Sequence, residues 1–240
     1  MPPIRSEKSN SAADAPAPGT VAPKKRLLKP VVKGIKDANF LSSVNNWDGE
    51  YDKLIGTSTR TISFGSMFVL TDDHIDDILA LPRQNDAKEL TDEAVVRLAK
   101  GLPNLRTVIL QSTTKVGDEG FLALVSNCPD LRLLEITPLG YGPKVTKEAL
   151  EEFCKHPEWC PGLKQVIFHR GDEYNKEWMK PMRELGKQRD KMVITLLDRS
   201  EVKKWGDWEI STSPQHYVKG RKCEFMKVPR GIAHRHGSIY

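Results

Sequence analysis

LPNLRTVIL (Leu102–Leu110), CPDLRLLEI (Cys128–Ile136) and CPGLKQVIF (Cys160–Phe168) are one phrase written three times: Leu or Cys, Pro, any residue, Leu, Arg or Lys, any residue, aliphatic, any residue, apolar. The copies begin twenty-six and thirty-two residues apart, a spacing characteristic of stacked repeats. Each closes on a short alternating strand, because successive side chains of a strand point to opposite faces. Val108 with Leu110, Leu134 with Ile136 and Val166 with Phe168 are the inward pairs, and parallel stacking joins them into one apolar ridge.

A second phrase falls between the strands. LTDDHIDDIL (Leu70–Leu79), LTDEAVVRLA (Leu90–Ala99), VGDEGFLALV (Val116–Val125) and VTKEALEEFC (Val145–Cys154) align without gaps. Their apolar positions coincide at Ile75/Val95/Phe121/Leu150, Ile78/Leu98/Leu124/Phe153 and Leu79/Ala99/Val125/Cys154, the i, i+3, i+4 stripe of a helix. Thr71, Thr91 and Thr146 are placed to cap these helices, with acids behind them where the helix dipole favours negative charge. Gly101 is expected to close one of them. Beyond Phe168 the pattern continues more weakly, with a helix over Asp172–Arg189 bent at Pro181 and a strand over Met192–Leu197 in which Ile194 and Leu196 extend the ridge.

Together the two phrases resemble the leucine-rich repeats of the cysteine-containing, ribonuclease-inhibitor-like subtype, best known from F-box proteins of ubiquitin ligases. Cys128-Pro129-Asp130-Leu131, Leu134-Glu135-Ile136 and Leu90-Thr91-Asp92 through Leu98-Ala99 carry the likeness, which covers Leu70 to Phe168 and weakens towards Leu197. The resemblance implies an α/β fold: a short right-handed leucine-rich-repeat solenoid with parallel strands on the concave face and helices on the convex face. Thr113 stands where the family has Cys or Asn, residues 137–144 carry an insertion, and no F-box pattern precedes the repeats.

The 240 residues are 38% hydrophobic and hold no apolar run near the roughly 18 residues that span a bilayer. The N-terminus lacks the apolar core of a secretory signal, which points to the cytosol or nucleus and to free thiols at Cys128, Cys154, Cys160 and Cys223. Charge is segregated: residues 1–36 carry eight Lys and Arg against two acids, residues 213–240 six against one, and the stretch between is net acidic. The expected organisation is therefore a disordered basic tail over 1–38, an N-terminal cap over 39–70, a repeat domain over 71–212 and a basic C-terminal arm over 213–240. Lys24, Lys25 and Arg26 form a cluster suited to nuclear import or nucleic acid, or simply to solubility.

Candidate sites are weighed against the repeat alignment. Cys154, His156 and Cys160 have zinc-ligand chemistry, but Cys154 aligns with Leu79, Ala99 and Val125, and Cys160 with Leu102 and Cys128, which makes both core positions. Asp72, Asp73, His74, Asp76 and Asp77 read as a solvated helix start rather than a hard-cation site, and Arg170-Gly171-Asp172 as a chance tripeptide. No catalytic group, cofactor or metal is expected. Strand positions facing away from the ridge form columns: Arg106/Arg132/Lys164, Thr107/Leu133/Gln165, Ile109/Glu135/Ile167 and Gln111/Thr137/His169. With Ile109, Leu133 and Ile167 exposed among bases, this face suits a protein partner with an acidic, partly apolar segment. The function expected is a monomeric, non-enzymatic adaptor. The alternatives are a substrate-recognition subunit of an SCF-type ubiquitin ligase, and a nucleic-acid or ribonucleoprotein accessory gripping phosphate through the basic tails.

Overall fold

The computed structural model describes residues 32–40, 47, 53–65, 68–81, 89–113, 115–138, 145–170, 176–204 and 207–223. Their elements run β1 (Asp37–Phe40), β2 (Thr61–Phe64), α1 (Asp72–Ile78), α2 (Asp92–Gly101), β3 (Thr107–Thr113), α3 (Asp118–Asn127), β4 (Leu133–Pro138), α4 (Lys147–Lys155), β5 (Gln165–Arg170), α5 (Lys176–Gln188), β6 (Val193–Lys204), β7 (Asp207–Val218) and β8 (Arg221–Cys223). The fold is α/β, with one open sheet of eight strands lying side by side in chain order. The first six strands are parallel, and β7 and β8 fold back antiparallel.

The apolar alternation sets the register. Ala38, Ile62, Val108, Leu134, Val166, Ile194 and Tyr217 are Cα partners across seven strands, and all are buried. Two residues along, Phe40, Phe64, Leu110, Ile136, Phe168 and Leu196 make a second row. A slip of one residue would turn every one of these side chains to the other face. Helices cover the ridge side, as the ring of Phe168 shows by lying 5.8 Å from those of both Phe121 in α3 and Trp178 in α5.

Equivalent positions of successive helix–strand units are tied by two polar ladders. At the helix starts, the Asp72 carboxylate accepts from the Thr91 amide and hydroxyl at 2.7 Å each. Asp92 Oδ1 accepts from the amides of Gly117 and Gly120 at 2.8 and 2.9 Å, and Asp118 accepts from the Thr146 amide and hydroxyl at 2.7 and 2.6 Å. Lys147 occupies the fourth such position and reaches forward to Glu177 at 3.2 Å. Each acid thus satisfies orphan donors of the next helix. Thr91 also caps its own helix by accepting from Ala94 N, whereas the Thr146 hydroxyl is committed to Asp118 and does not cap α4.

At the helix ends, the Cys128 thiol points at the carbonyls of Ala99 and Leu102 (3.9 and 3.8 Å), and the Cys160 thiol donates to those of Val125 and Cys128 (2.9 and 3.1 Å). Gly101 does not end α2 through a left-handed conformation; it lies in the last turn because a Cβ there would strike the Leu79 side chain.

The expected segment boundaries do not coincide with element boundaries. β1 straddles the expected junction at residue 38, and β2, in the segment read as a cap, pairs in parallel with β3. Residues 213–223, read as an arm, complete β7 and form β8. The turn between those strands has Lys219 at φ +53° and Gly220 at +73°, the backbone of a two-residue hairpin. Gly220 is pressed against α5: a Cβ on it would lie 2.5 Å from the Arg183 carbonyl oxygen, and a Cβ on Gly186 would lie 2.8 Å from the Gly220 nitrogen.

Candidate interaction surface

The sheet face opposite the ridge carries the strand residues singled out from the sequence, whereas Arg106, Arg132 and Lys164, expected on the same face, precede their strands. Its register aligns Thr107 with Leu133 and Gln165, Ile109 with Glu135 and Ile167, and Gln111 with Thr137, while His169 is the partner of Leu197. Thr107, Gln111, Leu133 and His169 are half-buried. Ile109 and Ile167, expected to be exposed, are 7% and 3% accessible, and Glu135 and Gln165 are buried with them. The correction has a lateral cause. Each is flanked in register on both sides, Ile109 by Ser63 and Glu135 and Ile167 by Glu135 and Thr195, at the roughly 4.8 Å between strands.

Several of the polar groups buried here are compensated by hydrogen bonds. Gln111 Nε2 donates to Glu135 Oε1 at 2.7 Å, Gln165 Nε2 to Thr195 Oγ1 at 3.3 Å, and Thr195 Oγ1 meets His216 Nδ1 at 3.1 Å. The far face therefore carries a Gln111–Glu135 pair and a Gln165–Thr195–His216 chain with apolar residues between.

The basic column lies at the strand starts. Arg106 N donates to Arg60 O, Arg132 N to Arg106 O and Lys164 N to Arg132 O, at 2.7, 2.7 and 2.8 Å, and Arg60 N to Lys36 O at 2.8 Å. Five bases in succession thus hold the position immediately before β1, β2, β3, β4 and β5; the sixth such position is the buried Met192. Sequence reading found only Arg106, Arg132 and Lys164, because the first two strands lack the Pro-x-Leu opening that marks the others. Lys36, Arg132 and Lys164 are exposed, and Arg106 reaches Asp130 at 3.7 Å. Lys24, Lys25 and Arg26 lie outside the described residues.

Cys128, Cys154 and Cys160, and Asp72, Asp76 and Asp77 of the acidic cluster, are engaged within the fold. Burial pushes the thiols of Cys128 and Cys160 up to about 12 and that of Cys154 to about 11, which keeps them protonated hydrogen-bond donors. Both ring nitrogens of His156 are engaged by carboxylates, Glu158 at 2.8 Å and Glu152 at 3.2 Å, and the ring stacks on Trp159 at 4.0 Å. Asp72 holds Thr91, Asp77 accepts from Trp47 Nε1 at 3.0 Å, and the buried Asp76 pairs with Arg97 at 2.9 Å. Burial raises the Asp76 carboxyl above its ordinary range while Arg97 opposes the shift.

The chain matches no protein-family model, and no curated protein matches it. No described helix is long and apolar enough to cross a membrane.

Proposed function

We propose that the protein is a non-catalytic interaction scaffold: a short right-handed leucine-rich-repeat solenoid that docks a protein partner on its concave, strand-bearing face. The observation that carries the reading is the recurrence of the same tie at the same place, Asp72, Asp92 and Asp118 to the next helix start and Cys128 and Cys160 to the preceding helix end. Nearest-neighbour ties of this kind are how repeat arrays hold a long surface rigid. On that surface Thr107, Gln111 and Leu133 remain partly accessible, beside exposed Arg132 and Lys164.

The test is affinity purification with the full chain as bait, comparing wild type with Gln111→Arg and Leu133→Asp. Specific partners retained by wild type and lost by these variants, with unchanged thermal unfolding, support the scaffold. Partners retained by both variants overturn the assignment of the face.

A further inference from the structure

We infer that the row Lys36, Arg60, Arg106, Arg132 and Lys164 is a docking strip for an acidic polypeptide segment laid across the strand starts. The inference rests on the scaffold reading and moves the decisive contact from the middle of the sheet face to its edge. Lys and Arg make up 37 of 240 residues, so a base at five successive equivalent positions is not a reflection of composition.

Backbone hydrogen bonds couple every member of the row to the next, which fixes where the side chains leave the chain. At about 4.8 Å per strand the row spans about 19 Å, the length of roughly six extended residues. Among the described residues Asp130 alone ion-pairs with it, on Arg106, and the half-buried Arg60 reaches the Thr57 and Thr59 carbonyls at 3.4 Å each, so Lys36, Arg132 and Lys164 are the members whose charge stands exposed. A nucleic acid fits less well. Recognition of single strands adds aromatic platforms to cations, whereas Trp159, in the turn before β5, is stacked on His156 and packed against the core. Helix-dipole compensation alone would place bases near helix ends, but it does not require them to stand at equivalent positions before five successive strands.

Binding of a fluorescein-labelled twelve-residue poly-glutamate peptide to the full chain, read by anisotropy at 50 and 300 mM NaCl, tests the strip, with a dodecameric oligothymidylate as the competing probe. The quadruple variant Lys36→Gln, Arg60→Gln, Arg132→Gln, Lys164→Gln should bind the peptide about tenfold more weakly or worse at low salt. Lys115→Gln, Lys147→Gln, Lys176→Gln and Lys180→Gln together remove the same charge elsewhere and should change affinity little. Circular dichroism and thermal unfolding establish that both variants fold; should the quadruple variant not, Arg132→Gln with Lys164→Gln is the substitute. Equal losses in the two variants, no peptide binding by wild type at 50 mM NaCl, or tighter row-dependent binding of the oligonucleotide would each overturn the inference. A partner captured by wild type and kept by the quadruple variant would sink the strip and leave the scaffold standing.

Discussion

Arg189 Nη1 donates to the carbonyl oxygen of Cys160 at 3.0 Å, at the place where, one unit earlier, the Cys160 thiol donates to the carbonyl of Cys128. The ladder of helix ends thus changes its donor from thiol to guanidinium as it passes α5. The second arm of the fork, Nη2, reaches the carbonyls of His156 and Trp159 at 3.1 and 2.8 Å, and the guanidinium sits 4.2 Å above the Phe153 ring. One cation therefore closes the C-terminal end of α4 and the turn behind it, where the helix dipole welcomes it.

Arg189→Met should leave those carbonyls without donors and lower stability by about 2–3 kcal/mol. Arg189→Lys should recover only part, since an ammonium cannot reproduce the planar fork. Urea unfolding measures both. A loss below about 0.5 kcal/mol for the methionine variant, the size of an ordinary surface change, would show that the fork carries no weight.

The buried thiols make stability fall in alkali. In the unfolded chain a cysteine ionises near 8.5, while in the folded chain Cys128 and Cys160 hold their protons to about 12 and Cys154 to about 11. Between those limits the unfolded state binds fewer protons than the folded one, so stability is full below the unfolded value and declines as pH rises above it. The slope approaches about 1.4 kcal/mol per pH unit for each such thiol. Denaturant unfolding from pH 8 to 10.5 checks the decline, which Cys128→Ala should make shallower. Cys160→Ser should destabilise by forcing a shorter, more polar group into the site, and chelator should leave wild-type unfolding unchanged.

Gly220→Ala should cost about 2 kcal/mol or more, because the left-handed conformation and the Arg183 carbonyl both oppose a Cβ. Gly186→Ala presses on the same turn from the helix side, so the two substitutions should be strongly non-additive in thermal unfolding. Additive effects would mean that the β7–β8 turn does not rest on α5.

Leu131→Ala should cost about 2–5 kcal/mol as a truncation of a fully buried side chain. Asp92→Ala, which strands the amides of Gly117 and Gly120, should cost about 1–2 kcal/mol. Equilibrium unfolding ranks the pair, and a reversed order would contradict the division between core and ladder.

The helices over 72–78, 92–101, 118–127 and 147–155 and the strands at 107, 133, 165 and 193 were legible because each is bound mainly to its own period. The Asp column was equally visible in the aligned helix phrases, but its use was not. A carboxylate at a first turn looks like local dipole compensation until the neighbouring helix is in place. β2 falls in a strand-like stretch of the expected cap, but without the Pro-x-Leu opening neither it nor β1 could be joined to the strands that follow. For the interaction surface, the register aligns Thr107/Leu133/Gln165, Ile109/Glu135/Ile167 and Gln111/Thr137 as expected, whereas Ile109 and Ile167 are buried rather than exposed.

Periodicity along the chain by itself determined which residues form the ridge and which stand opposite it, because the side-chain direction of a strand or helix depends only on local backbone geometry. How deeply the opposite residues are buried depends on what lies beside them. That was decided by the lateral register of Ser63, Ile109, Glu135, Ile167 and Thr195 across five strands. The same holds for the bases: three were evident as a motif, but their union with Lys36 and Arg60 into one line, from residue 36 to residue 164, exists only through hydrogen bonds between successive strands.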